Sequence, residues 1–350
     1  MMLPALLVRF RPLGPWRIGP SNGACDRVDR LYHSDTLFSA VTSALAQLGM
    51  LEEWLAATVH SPEGPRVAFS SCFPYSGDLL LVVPPRTLWP PAASPKVRWK
   101  SARFIPVPLV AKLAAEEPLR EDRWVVDPPS QCLLPLDRRH SGPFRQVSRS
   151  HAAVDRLSGS ALPHSKACLE FAAGAGLWAV AVFAGEEARE RWTAPVEAAF
   201  RLLADSGLGG RRSLGWGRSE IPEVAPGVFP EMLSPPPPAP PESPDAPPPR
   251  GPETAWWLLS LFLPAPEDSV DWARSSYALA TRGGRIESPL RSGEQKRLLR
   301  MVEEGSVLRA AQPLRGAARN VAPDGFPHPV FRAGFAVAVP VPLRPPEVKP

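Results

Sequence analysis

Residues 205–220 read DSGLGGRRSLGWGRSE. Gly207, Gly209, Gly210, Gly215 and Gly217 crowd together there, with Arg211, Arg212 and Arg218 among them and no acidic residue between Gly207 and Ser219. Glycine has no Cβ, so main-chain N–H groups can approach an anion closely, and arginine forks bind phosphate oxygens in pairs. The stretch therefore suits a phosphate backbone, with Trp216 either stacking on a base or packing under the loop. The competing reading is a sharp turn with solvated arginines. Mononucleotide cradles fit poorly. Gly210 and Gly215 have the Walker separation, but Trp216 follows where lysine is required. The dinucleotide fingerprint fails at Arg212 counted from Gly207 and at Glu220 counted from Gly215. Both cradles also follow a strand and open a helix, whereas this loop leaves a helix and enters a strand.

Three other stretches concentrate positive charge. Residues 138–156 carry Arg138, Arg139, Arg145, Arg149 and Arg156 against Asp155, with Phe144 and His151 as stacking candidates. Residues 282–300 carry six cationic and two acidic side chains. Residues 94–104 place Lys96, Arg98, Lys100 and Arg103 around Trp99. Each is equally well read as a solvated surface. Among the six histidines, His33 and His151 stand near such residues, and a metal-independent ribonuclease needs a general acid and base of that type. The bland reading of His33 is stronger: Ser34 and Asp35 look like a helix cap and a first-turn acid. No HExxH, GxSxG or close-spaced carboxylate cage is present, which argues for binding without catalysis, metal or cofactor.

The 350 residues are enough for two modest cores. A net charge of +5 is too small to make the whole surface a polyanion binder, so any nucleic-acid site must come from local clustering. Cys25, Cys72, Cys132 and Cys168 lie far apart with no CxxC pair, against a zinc site. The start lacks signal-peptide features and no stretch of about 18 apolar residues occurs, so a cytoplasmic, non-membrane protein with reduced thiols is expected.

The elements that must hold these clusters follow from periodicity. Residues 3–13 read as a strand with Leu6, Val8 and Phe10 on one face and Leu7, Arg9 and Arg11 on the other. Residues 33–49 read as a helix capped by Ser34, striped by Leu37, Val41, Ala44, Leu45 and Leu48, and ended by Gly49. Residues 66–84 suggest a strand pair and 168–185 a hairpin turning at Gly174–Gly176. Residues 193–207 read as a second helix, capped by Thr193, with Pro195 in its first turn and Val196, Ala199, Phe200 and Leu203 on one face. The order is that of an α+β, ferredoxin-like βαββαβ domain over 1–232, with an insertion at about 90–165 and the glycine loop at 207–217. Residues 233–252 hold a proline run that reads as an extended linker. Beyond it, 253–345 restarts as a degenerate second domain: a strand at 255–264, a Gly283–Gly284 turn, and an alternating strand at the end of 328–343.

Six segments in order resemble one family. HSDTLFSAV (33–41), VDRLSGSA (154–161) and LLADSGLGGRRSLGWGRSE (202–220), then SYALATRGG (276–284), EEGSVL (303–308) and HPVFRAGFAVAVP (328–340), resemble the RAMP subunit that caps the crRNA 5′ end in type III-A (Csm) CRISPR effector complexes. The glycine loop alone marks only the wider RAMP superfamily. The resemblance implies two ferredoxin-like, RRM-related domains and a non-catalytic role in antiviral defence. It implies binding of the crRNA 5′ handle and contact with a large polymerase-like subunit and a backbone RAMP subunit. Gly209, Gly210, Arg211, Arg212, Ser213, Gly215, Trp216, Gly217 and Arg218 become RNA-contact candidates. Arg145, Arg149, His151 and Arg156 become a clamp on the handle. The rival expectation is a RAMP-type endoribonuclease that processes repeat RNA.

Overall fold

The computed structural model describes residues 2–19, 24, 26–91, 97–140, 142–233, 255–288, 290–291 and 293–341. Nearly all of the proline run expected as a linker, and Cys25, lie outside the described residues. The chain begins with β1 (Leu3–Phe10), α1 (Ser34–Gln47), α2 (Leu51–Ala57), β2 (Val67–Phe69), β3 (Phe73–Ser76) and β4 (Leu79–Val82). The insertion contributes β5 (Ile105–Pro106), α3 (Val107–Ala114), β6 (Trp124–Asp127), β7 (Cys132–Pro135) and β8 (Phe144–Val154). Then come β9 (Ala161–Phe171), β10 (Ala175–Phe183), α4 (Glu186–Ser206) and β11 (Glu223–Phe229). The C-terminal half adds β12 (Ala255–Leu258), β13 (Val270–Ser276), β14 (Leu279–Arg282), β15 (Leu299–Val302), β16 (Val307–Ala310), β17 (Gly316–Asn320), β18 (Phe331–Phe335) and β19 (Ala338–Val341). It holds no helix among the described residues.

The main sheet runs β11-β1-β10-β3-β4-β5, with β2 also on β10, and its pairs are antiparallel. Every residue of β10 is buried, as befits a central strand. Phe200 of α4 meets Phe10 and Phe69 edge-on at 5.5 and 5.8 Å, which fixes that helix on the sheet. The C-terminal half is a β13-β16-β12-β19 sheet with two ribbons, β14–β15 and β17–β18. One apolar cluster runs through both halves, joining β10, α1 and α4 to Trp257, Leu259, Val307 and Phe335. Phe38 and Phe335 touch across the junction with ring centroids 5.4 Å apart. Beside this shared core lies a small satellite around Trp256, Leu258 and Phe262.

Several expectations are corrected. The hairpin in 66–84 is β3–β4, while β2 leaves to pair with β10. Residues 168–185 do turn at Gly174, but β9 pairs with β8 and β10 with β1, so the turn carries the chain between sheets instead of closing a hairpin. Helix α4 starts seven residues before Thr193 and contains Pro195. Burial of Ala188 and Trp192, the latter against Trp54 at 5.3 Å, extends it through a residue that propensity would place at its start. Thr193 Oγ1 donates to the Arg189 carbonyl one turn back instead of capping. In the C-terminal half, β12 ends at Leu258, and the ribbon turns beyond Gly283–Gly284, where Ile286 exchanges hydrogen bonds with Gly293 and Glu294.

Helix α1 begins in a way that residue statistics misread. Its N-cap is His33, and Ser34 Oγ accepts the Leu261 N–H from the other half. Asp35 is 2% exposed. Its carboxylate takes Arg282 in a two-pronged pair, Nε and Nη2 each at 3.0 Å, and also receives Arg332. Burial opposes ionisation of Asp35, but the two guanidinium charges outweigh it and hold its pKa well below the ordinary carboxylate range. Arg332 also donates to the Gly283 carbonyl at 2.5 Å. Asp35 thus fastens the N-terminus of α1 to β14 and β18. Replacing Asp35→Asn removes the carboxylate charge that the two buried guanidiniums share. The expected loss of unfolding free energy is about 3–5 kcal/mol, read by urea denaturation. An unchanged midpoint would contradict the pairing.

Candidate nucleic-acid interface

The glycine loop is built on the segment that follows β1. Gly210 N–H donates to Arg17 O, Gly217 N–H to Pro15 O, and Leu208 N–H to Gly217 O. A Cβ on Gly209 would sit 2.4 Å from Arg17 O, and one on Gly217 would sit 2.0 Å from Leu208 O; both residues also have positive φ. These glycines are required by the protein's own backbone, so they do not by themselves signal a ligand. Gly215, also at positive φ, faces open space. Arg17, missed in the sequence, is the post beneath the loop: its guanidinium reaches the Ala167 and Ala24 carbonyls, both at 2.6 Å.

The side chains sort by exposure. Arg211 is exposed, has left-handed backbone (φ 67°), and has no ion-pair partner among the described residues. Ser213 is exposed beside it. Arg212 pairs with Glu287, and Arg218 with Asp205 at 2.7 Å. Trp216 is buried and packs under the loop, with its ring 6.1 Å from His151. Stacking a base on it would require the His151 strand to move away.

His151 belongs to β8, which pairs with β9 over eleven residues in a two-stranded ribbon. Asp155 shapes the tip, accepting Leu157 N–H at 2.9 Å and Ser158 Oγ at 2.7 Å. Arg145 and Arg149 share the Glu170 carboxylate, at 3.0 and 2.7 Å, so this pair presents less free charge than the sequence suggests. Arg156 at the tip is exposed and has no ion-pair partner among the described residues. His164 stacks on His151 with centroids 5.6 Å apart, and Lys166 lies opposite Arg149. Both were missed because strand register is not readable from single residues.

The loop, the β8–β9 ribbon and the 282–300 ribbon, far apart in sequence, therefore meet. His151 on Trp216 joins the first two, and Glu287 on Arg212 joins the third. Of the 94–104 cluster, Lys96 lies outside the described residues, Lys100 is exposed, and Arg103 reaches Asp29 at 3.4 Å.

His33 takes no part in this surface. Its Nδ1 is 2.8 Å from Glu304 and its Nε2 is 3.1 Å from Asp29. Ser71 Oγ donates to the same Glu304 carboxylate. Burial alone would lower the His33 pKa. The Glu304 charge and the hydrogen bonds to Asp29 and Glu304 outweigh it and lift it to about 9. A ring held protonated between two carboxylates is not a general base at neutral pH.

Residues 252–341 match the family model of the CRISPR Csm4 C-terminal domain. A chain of the Csm3–Csm4 subcomplex of the type III-A CRISPR–Cas interference complex superposes with TM-score 0.62 at 15% identity, covering 97% of this chain and 100% of that one. In fold, the chain is Csm4-like. A chain of the Csm1–Csm4 cassette in complex with cA4 gives TM-score 0.55 at 18% identity, and one in complex with pppApA gives 0.54 at 19%; each pairing covers 98% of this chain and 99% of the other. At these identities the likeness is one of fold. No curated protein matches the sequence. In this Csm4-like chain no helix of the described residues is long and apolar enough to cross a membrane, and Cys72, Cys132 and Cys168 are free thiols.

The folded-state pKa of His33 lies above its unfolded value, so its contribution to stability is complete below about pH 6.5 and is lost as pH rises through about 9. Urea midpoints measured from pH 6 to 10 should fall over that window in the parent. They should fall less in His33→Gln, and equal slopes would contradict the assignment.

Proposed function

We propose that this chain is the non-catalytic subunit of a type III-A CRISPR complex that binds the crRNA 5′ handle. In that reading it joins the large polymerase-like subunit to the backbone RAMP subunit in the cytoplasm. The observation that carries this is the meeting of three basic segments around Arg211, an exposed guanidinium without an ion-pair partner among the described residues. The family match over 252–341 and the whole-chain likeness to chains of the Csm3–Csm4 and Csm1–Csm4 assemblies support the same reading.

We read residues 1–232 as a ferredoxin-like domain, because the antiparallel order β11-β1-β10-β2 with α1 and α4 between strands is that of a βαββαβ unit. Residues 233–252 are read as the linker and 253–345 as the second domain. RNA phosphates take the exposed arginines, with Arg211, Arg212, Ser213 and Arg218 on the loop, Gly209, Gly210, Gly215 and Gly217 shaping it, and Arg145, Arg149, His151 and Arg156 on the ribbon. Trp216 supports the site from below. Because Glu170, Glu287 and Asp205 already hold four of these arginines, RNA binding exchanges carboxylates for phosphates, and the net gain per contact is modest. The endoribonuclease reading, with His33 or His151 as general acid or base, is not favoured: His33 is occupied on both ring nitrogens, and the His151 ring packs against His164 and Trp216.

Arg211→Ala with Arg212→Ala should weaken binding of a repeat-derived RNA. It should lower the slope of log affinity against log salt by about 0.7 for each lost single-strand phosphate contact. Filter binding across a salt series measures both quantities; unchanged affinity and slope would remove the loop from the RNA site.

A further inference from the structure

A cavity of about 850 Å³ lies between the two halves, and none of the glycine-loop residues line it. One wall is an open strand edge. Among the described residues β14 pairs only with β15, and Val302 exchanges its N–H and C=O with Phe262, not with its register partner Leu279. In an antiparallel pair this makes Leu279–Val302 a non-hydrogen-bonded couple, so the main-chain groups of Leu279 and Thr281 point away from β15. Both residues line the cavity. The Leu279 C=O and the Thr281 N–H thus form an adjacent acceptor and donor. Each nucleobase offers a matching donor and acceptor side by side on its Watson–Crick edge.

The charges around this edge favour a phosphorylated ligand. Arg86 and Lys100 line the cavity, are exposed, and have no ion-pair partner among the described residues. Arg103 stands beside them, engaged at 3.4 Å by Asp29. The acidic groups on the wall are mostly committed: Asp29 to His33 and Arg103, and Glu304 to His33 and Ser71. Glu303 is left as an acceptor suited to ribose hydroxyls. Trp89 also lines the cavity; it is 9% exposed and its buried indole N–H has no partner among the described residues.

We propose that this cavity binds a single unstacked nucleotide, with its base on the β14 edge and its phosphate on Arg86 and Lys100. The ligand is a free nucleotide or one residue of an RNA chain. The site is separate from the glycine loop and does not depend on RNA binding there.

The test is calorimetry on the full-length protein with AMP, ribose 5-phosphate and N6,N6-dimethyl-AMP, whose base edge is blocked. Loss of the base contacts should weaken binding about tenfold or more relative to AMP. Arg86→Ala with Lys100→Ala, both exposed, should weaken AMP about tenfold or more while melting stays unchanged. Arg211→Ala with Arg212→Ala should leave AMP binding intact, which separates this site from the loop. If only oligoribonucleotides bind, an adenosine oligomer should exceed its dimethyladenosine counterpart by the same margin and lose it in the Arg86/Lys100 variant, identifying RNA as the source. AMP and ribose 5-phosphate bound equally, binding untouched by the Arg86/Lys100 change, or no discrimination among any of these probes would each overturn the proposal.

Discussion

The structure depends on a carboxylate that is hidden from water and shared by two arginines. Asp35 stands in the first turn of α1, and both of its guanidinium partners come from the other half of the chain. An isolated buried charge is so costly that it is tolerated only where it is paired, as the Asp35 carboxylate is with the two guanidiniums. His33, two residues earlier, repeats the device with the signs exchanged: a buried cation held by Asp29 and by Glu304 from the far half. Between them, Ser34 accepts the Leu261 N–H. Three consecutive residues thus set how the halves meet, over an apolar core that runs beneath the junction and has little directional preference of its own.

This junction reaches the basic surface through one ribbon. Arg282 and Gly283 are tied to Asp35 and Arg332 at its foot, and the segment that follows brings Glu287 to Arg212. On the other side, Trp216 braces the loop against His151. The loop is therefore placed by contacts from both halves, while its glycines answer chiefly to close backbone packing. Arg211 is left as the cation aimed at solvent.

Elements whose signal is local were legible in the sequence. β1, α1 with its Gly49 ending, and the buried face of α4 follow from period and punctuation. The glycine loop was placed correctly between α4 and β11. What was not legible depends on partners distant in sequence. Asp35 looks like a first-turn acid because its arginines lie 247 and 297 residues away. The end of β9 and β10 look like a hairpin because a short apolar run on either side of Gly174 suggests one, and nothing local says that β9 returns to β8. Likewise, Arg145 and Arg149 look freely cationic until Glu170 is seen across the ribbon. The segments that carried the family resemblance proved in large part to be this junction: HSD, TRGG, EEGS and VFRAG supply His33, Ser34, Asp35, Arg282, Gly283, Glu304 and Arg332.

Membership of a crRNA-bound assembly, the function proposed for this surface, can be read from the RNA that travels with the protein. The tagged protein is co-expressed with the neighbouring genes of its locus and purified, and the RNA that accompanies it is sequenced. Short RNAs sharing one constant repeat-derived 5′ handle are expected, together with a large polymerase-like subunit and a backbone subunit. Random RNA, or none, with the neighbours present and expressed, would contradict it.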